Sequence, residues 1–237
     1  MSSLINAYGQ PIGASTRDWT ARQHPAREIL QGRTCRLEPL DAAQHAEPLF
    51  AAYRQAADGS DWTYLFVGPF EDLASYQAYV SAAAASRDPQ HWAVIDERTG
   101  QAVGTLALMR IDGNNGVIEV GNVTFSPLMK RTAISTEVQY LLMKFVFDDL
   151  GYRRYEWKCD ALNAPSRKAA LRLGFSFEGI FRQAVMYKGR TRDTAWFSII
   201  DSEWPERKAA FEAWLAENNF DAQGQQVRAL EACRTGV

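Results

Sequence analysis

The chain has 237 residues, enough for one large single-core domain or for two small ones. Hydrophobic residues make up 46% and charged residues 23%, ordinary for a soluble globular protein, and no apolar run approaches a membrane span. A formal net charge of −2 lacks the basic excess that non-specific nucleic-acid binding needs, so neither nucleic acid nor membrane is expected as a partner. The three cysteines, Cys35, Cys159 and Cys233, are far apart and odd in number, and His24, His45 and His91 are equally scattered. That pattern indicates neither a disulfide framework nor a metal site.

The first residues, MSSLINAYGQPIGASTRDW, lack the basic start and apolar stretch of a secretory signal, which sets the expectation of a cytoplasmic protein. Residues 1–32 show no clean periodicity and read as an extended arm laid over the domain, or as partly disordered. Thr34–Glu38 reads as a short strand. Asp41 caps a helix running to about Ala57, with Leu49, Phe50 and Tyr53 at helical spacing. Asp58–Phe70 is aromatic and loop-like, and a second helix follows near Asp72–Ser86. Three strands then alternate with short turns: 91–95, 102–111 and 117–125, an antiparallel meander. Helical spacing returns at Thr136–Leu150 and is ended by Gly151. A strand at Tyr152–Cys159 and a helix at Ala164–Leu173, ended by Gly174, come next. A hairpin follows, 175–187 and 191–200, turning at Lys188-Gly189-Arg190. A last amphipathic helix runs from about Pro205 to Glu217. The order predicts an α+β fold: a mixed, mostly antiparallel central sheet with helices on both faces.

Five segments carry candidate chemistry. Ser126–Val138, SPLMKRTAISTEV, joins the third meander strand to a helix. N–H groups at a helix start are unpaired and face an anion. Lys130, Arg131, Thr132, Ser135 and Thr136 add cationic or hydroxyl donors, and small residues such as Ala133 allow close approach; an ordinary capped helix with a basic first turn is the other reading. Asn163-Ala-Pro-Ser166 follows a strand, opens a helix and leads to Gly174-Phe175; Asn163 as a plain N-cap is the alternative. Glu119, in IEVGNVTFSP, is placed either to take a proton or to face solvent on its strand. Trp62 and Tyr64, in the aromatic loop, either face a substrate, with Asp58 and Asp61 holding an ammonium, or cap the core. Arg182, Arg190 and Arg192 read mostly as solvated hairpin surface.

The order of elements, with Ser126–Val138, Asn163–Phe175, Glu119 and the hairpin from Glu178–Arg182 to Tyr187–Thr194, resembles over roughly residues 33–200 the GNAT superfamily of N-acetyltransferases, and within it the RimJ/RimL-like group, where that hairpin builds a wall of the substrate groove. Lys130-x-x-Ala133-x-Ser135 stands where that family has a pyrophosphate loop of the pattern Arg/Gln-x-x-Gly-x-Gly/Ala, with both glycines replaced. The resemblance implies acetyl-CoA as co-substrate, held by Lys130, Arg131, Thr132, Ala133, Ile134, Ser135 and Thr136. It also implies that Val123 and Phe125 lie on a strand end that splays to meet the pantetheine arm, with a backbone N–H there to stabilise a developing oxyanion. Asn163 would contact the same arm, Ser166 would serve the departing thiolate, Glu119 would remove the amine proton through water, and Asn122 would face the acyl group or the acceptor. Direct attack without an acyl-enzyme is expected, with Cys159 a buried small hydrophobe. The implied organisation is an arm at 1–32, an acetyltransferase domain at 33–203, and a helix and tail at 204–237 packed on it. The expected acceptor is the primary amine of a small molecule, because the last helix near Trp204–Glu217 closes one end of the groove. A peptide N-terminus as acceptor, and a non-catalytic acyl-CoA-binding scaffold, are the alternatives. A homodimer formed through the arm is compatible with each.

Overall fold

Eight strands forming one sheet organise the molecule, and the computed structural model describes residues 4–234 of the chain. Residues 1–3 of the expected arm and 235–237 of the expected tail lie outside them. A small exposed hairpin, β1 (Leu4–Ile5) and β2 (Pro11–Ile12), precedes the sheet. Then follow β3 (Leu30–Gln31), β4 (Cys35–Pro39), α1 (Ala42–Tyr53), α2 (Leu73–Ala85), β5 (Gln90–Asp96), β6 (Ala102–Asp112) and β7 (Val117–Phe125). The second half holds α3 (Ile134–Lys144), β8 (Arg154–Asp160), α4 (Ala164–Leu173), β9 (Ser176–Tyr187), β10 (Arg190–Ile200) and α5 (Trp204–Leu215). The strand order is β3-β4-β5-β6-β7-β8-β10-β9, and only β7 and β8 run parallel. A parallel neighbour needs a crossover, which α3 supplies; elsewhere short turns give antiparallel pairs.

Strand alternation divides the core in two. Trp92 and Val94 of β5 point to the layer containing α3 and α5, where they meet Leu106, Ile118 and Tyr155. Ala93 and Ile95, one residue out of phase, meet Leu49, Tyr53, Tyr76 and Val80 under α1 and α2. Helices therefore cover both faces, as expected.

Asp41 and Asp72 cap α1 and α2, accepting from the N–H groups of Gln44 at 2.9 Å and Ser75 at 2.7 Å. The first helix stops short of Ala57, because Gln55 and Ala56 bond three residues back in tight turns that do not continue. α3 begins at Ile134, before the expected Thr136, and passes into a π-type turn at Phe145–Asp149 ahead of Gly151 (φ +68°).

The segment from Trp19 to Gln31 runs across the sheet. Trp19 donates its indole N–H to the Asn114 carbonyl at 2.7 Å, Arg22 donates to Gly151 at 2.8 Å, and Trp92 donates to Glu28 at 3.1 Å. Burial of a ring such as Trp92, 0% exposed, is worth about 3 kcal/mol. Its N–H therefore found a partner in the arm rather than going unpaired. α5 packs on α3 through Phe211 and Trp204 against Tyr140. Among the described residues no helix is long and apolar enough to cross a membrane.

Candidate active site

β7 and β8 are hydrogen-bonded only from Val117–Val120 to Arg154–Trp157. Beyond that point Gly121–Phe125 and Lys158–Asp160 diverge. The cause sits in β7: Thr105 and Ala107 of β6 face Thr124 and Gly121, so β7 carries one extra residue. That is a β-bulge, with Asn122 at φ +50°, a conformation asparagine tolerates better than most residues. A cavity of about 370 Å³ occupies the gap. Trp157 and Cys159 line it from one face of β8, Lys158 and Asp160 from the other. Because alternate residues point to opposite faces, the cavity is lined from both faces of the sheet between the strands.

On the α4 side, Trp157 donates its indole N–H to Ser166 Oγ at 3.0 Å. Indole can only donate, so the serine hydroxyl keeps its own proton for another acceptor. Asn163 Oδ1 accepts from the Ser166 N–H at 3.1 Å. Asn163 is thus both the N-cap of α4 and part of the cavity wall. Cys159 is 6% exposed, and burial pushes its thiol up, so it stays protonated at neutral pH.

On the other side, Glu119 is 4% exposed, which removes the solvent-facing reading of this residue. Lys158 Nζ lies 2.8 Å and Arg110 Nη1 3.4 Å from its Oε2. The Lys158 contact has the distance of an ion pair but not the angle of a hydrogen bond, since Oε2 has no hydrogen-bond partner among the described residues. Burial pushes the Glu119 carboxyl above the usual range, and Lys158 and Arg110 only partly offset it. Lys158 also meets Glu156 at 2.7 Å and sits 3.8 Å from the centre of the Trp196 ring. Arg154 continues the chain of charges, at 2.7 Å from Glu156 and paired with Glu178.

A roof covers part of this side. Tyr64 and Phe66 line the cavity from the loop between α1 and α2, and the Tyr64 hydroxyl donates to the Leu162 carbonyl at 3.3 Å. The tip of the β9–β10 hairpin holds the loop down. Lys188 Nζ donates to the carbonyls of Trp62, Val67 and Gly68 at 2.8, 3.1 and 2.7 Å, and Arg190 to that of Thr63 at 2.8 Å. Phe66 packs on Tyr187 with ring centres 5.4 Å apart.

Several expected site residues lie elsewhere. Trp62 does not line the cavity; its ring is buried edge-on against Tyr53 and Phe70, as the core-capping alternative has it. Asp61 does line the cavity, but the ammonium it holds is that of Lys130, and Asp58 accepts from the Ser60 N–H. α5 closes no groove, because Trp204, Phe211 and Trp214 turn inward to the core and none of its residues lines the cavity. Arg192 is not solvated surface: it is 8% exposed and lines the cavity.

Asn122 and Val123 line the cavity, whereas Phe125 packs on the core. The segment 130–136 lies outside the cavity. Its hydroxyls are largely spent within the turn: Thr132 donates to Met129 and Ser135 to Thr132, each at 2.8 Å, and buried Thr136 accepts from Arg172. What remains for an anion are the exposed Arg131 side chain and the backbone N–H groups of Arg131, Ala133 and Ile134, which have no acceptor among the described residues. Arg131, at φ +62°, occupies the left-handed position that favours glycine, while Ala133 has an ordinary φ of −58°. Phe181, from the hairpin expected to wall the groove, also lines the cavity, as do Trp157, Lys158 and Trp196, which no sequence motif marks.

A family model described as an acetyltransferase (GNAT) domain matches residues 35–176. The uncharacterized N-acetyltransferase p20 of Bacillus licheniformis is 27% identical over 144 residues, 60% of this chain and 80% of that protein. A solved GCN5-related N-acetyltransferase from Brucella melitensis is 51% identical, with a TM-score of 0.90 over 92% of this chain and 99% of that one. The fold alone is shared with RimL, a ribosomal L7/L12 alpha-N-protein acetyltransferase, at 19% identity and a TM-score of 0.62 over 73% of this chain and 94% of that one.

Proposed function

The chain belongs to the GNAT acetyltransferase family, and from that premise we propose that it transfers acetyl from acetyl-CoA to the primary amine of a small molecule. The observation that carries the choice of acceptor is the roof. Lys188, Arg190 and Tyr64 bind the loop over the cavity by five hydrogen bonds. A peptide needs an open trough, whereas a roofed space of about 370 Å³ suits a metabolite.

The residues present fit the co-substrate. The unpaired N–H groups of Arg131, Ala133 and Ile134 suit its pyrophosphate. The diverging strands around Val123 leave backbone groups for its amide-bearing arm, and Asn163 faces the same space. When bound, acetyl-CoA supplies an activated acyl carbonyl. The protein's share is to hold the amine in line and manage two protons. Glu119, buried and with its carboxyl pushed above the usual range, is suited to accept the ammonium proton, directly or through water. Ser166, its oxygen fixed by Trp157, presents its proton toward a leaving sulfur.

Two measurements test this. Calorimetric titration with acetyl-CoA should show saturable binding that is lost in a Lys130→Ala/Ser135→Trp variant. Thiol release across a panel of amines and N-terminal peptides should then favour small amines. Acetylation of peptides with small amines left untouched refutes the acceptor assignment.

A further inference from the structure

Arg192 is the cationic residue of the cavity that the reaction leaves unused. It lies on β10, is 8% exposed, and lines the space beneath the roof. Its Nε donates to Thr194 Oγ1 at 3.1 Å, and its guanidinium carbon lies 5.6 Å from the centre of the Phe66 ring. Those contacts fix the plane of the group. They leave Nη1 and Nη2 with no carboxylate partner and no hydrogen-bond acceptor among the described residues. The carboxylate of Asp160 lines the same cavity but makes no ion pair with Arg192; it accepts from the Tyr187 hydroxyl at 2.8 Å and the Leu162 N–H at 2.9 Å.

The terminal nitrogens of Arg192 are not among the fully enclosed unpartnered atoms, so they open onto the cavity, and a guanidinium with no direct carboxylate contact there can gain charge-assisted hydrogen bonds from an entering anion. The other cations at the cavity differ: Lys158 lies between two glutamates, and Arg110 contacts Glu119. The anion is not the co-substrate's phosphate, because residues 130–136, where the unpaired N–H groups lie, do not line this cavity.

We infer that Arg192 is an anion-binding residue for the acceptor, so that the amine acetylated here belongs to a molecule that also carries a carboxylate. With Nε held by Thr194, the two terminal nitrogens form an end-on fork that matches the two oxygens of a carboxylate. Phe66 and Phe181 supply apolar wall for the carbon skeleton between the two charged ends. The inference rests on the small-amine reading above and narrows it to amino-carboxylates, with amino-phosphonates as the alternative source of the same charge.

The test uses the full chain with a series of ω-amino carboxylates and α-amino acids, their neutral carboxamides, and matched aminoalkyl phosphonates. Thiol release gives kcat/KM, and calorimetry in the presence of CoA gives affinity without requiring turnover. The carboxylates should exceed their carboxamides by roughly 10²–10³-fold, the range found when one partner of a desolvated charge pair is lost. Arg192→Met should erase that preference, and Arg192→Lys should recover part of it. A melting curve and acetyl-CoA titration of each variant report whether the fold and the donor site are kept.

Phosphonates outperforming carboxylates would overturn the carboxylate assignment, as would carboxamides that match the acids in both readouts. So would acid preference that persists in Arg192→Met. Neutral amines acetylated as fast as acids would sink this inference while leaving the small-amine reading intact. Conversely, carboxylate binding that depends on Arg192 without acetylation of any amine would support the anion site and defeat the small-amine reading.

Discussion

Replacing Lys158 with Met probes the charge chain at the floor of the site. The side chain is only 5% exposed, and its ammonium lies 2.8 Å from Glu119 and 2.7 Å from Glu156. Methionine keeps most of the stem's bulk, so the cavity contribution is small and the effect is mainly electrostatic. Glu156 retains Arg154 at 2.7 Å, whereas Glu119 is left with Arg110, a half-exposed side chain at 3.4 Å. The penalty therefore falls on Glu119. Removing one partner of a buried pair costs about 3–5 kcal/mol. For a chain of this size that lowers Tm by roughly 6–20 °C. Glu119 can reduce the cost only by taking a proton, so the acid limb of kcat/KM should move to higher pH. Thermal melts and a pH–rate profile read both effects. Adding Glu119→Gln to Lys158→Met should restore more stability than adding Glu156→Gln, because Arg154 already holds Glu156. A Tm within about 2 °C of wild type together with an unmoved acid limb would show that Lys158 is not the countercharge, and the reasoning fails.

Three further expectations concern separate parts of the molecule. Ser166→Ala should lower kcat by roughly 10²–10⁴-fold while leaving the acetyl-CoA dissociation constant unchanged, as single-turnover kinetics and calorimetry would show. Lys188→Met removes three donated bonds from the roof; a loss of about 1–2 kcal/mol should raise the acceptor KM roughly 5–30-fold without affecting donor binding. His91 is 5% exposed, and burial with Arg27 nearby pushes its pKa down to about 4 from 6.5. The unfolded chain takes up that proton near 6.5 and the folded one only near 4. Stability is therefore flat above this window and falls as pH drops through it, by about 3 kcal/mol in all. Urea midpoints at pH 7.5 and 5 should separate wild type from His91→Gln, which lacks the slope.

The elements were legible where local chemistry decides them. Asp41 and Asp72 cap helices, Gly174 ends one, and the 117–125 strand has the same bounds in the structure as in the sequence reading. What failed was legible only through pairing. The bulge at Asn122 depends on how β6 and β7 register, which no local pattern reveals. Arg192 reads as surface because hairpin arginines mostly are; its burial follows from Phe66, more than a hundred positions away, folding down over it. Trp62 and Tyr64 are two residues apart with similar composition around them, yet one enters the core and the other lines the cavity. Hydroxyls in the 130–136 segment looked like donors to a ligand; the turn itself consumes them, since a nearby carbonyl competes for the same proton.

The gap in the sheet has a kinetic consequence. The opening between β7 and β8 is lined from both faces of the sheet, and the direct transfer proposed above requires both reactants to be bound there at once. Initial-velocity plots at several fixed concentrations of the second reactant should therefore intersect rather than run parallel. A single molecule that joins both reactants should bind more tightly than either half alone.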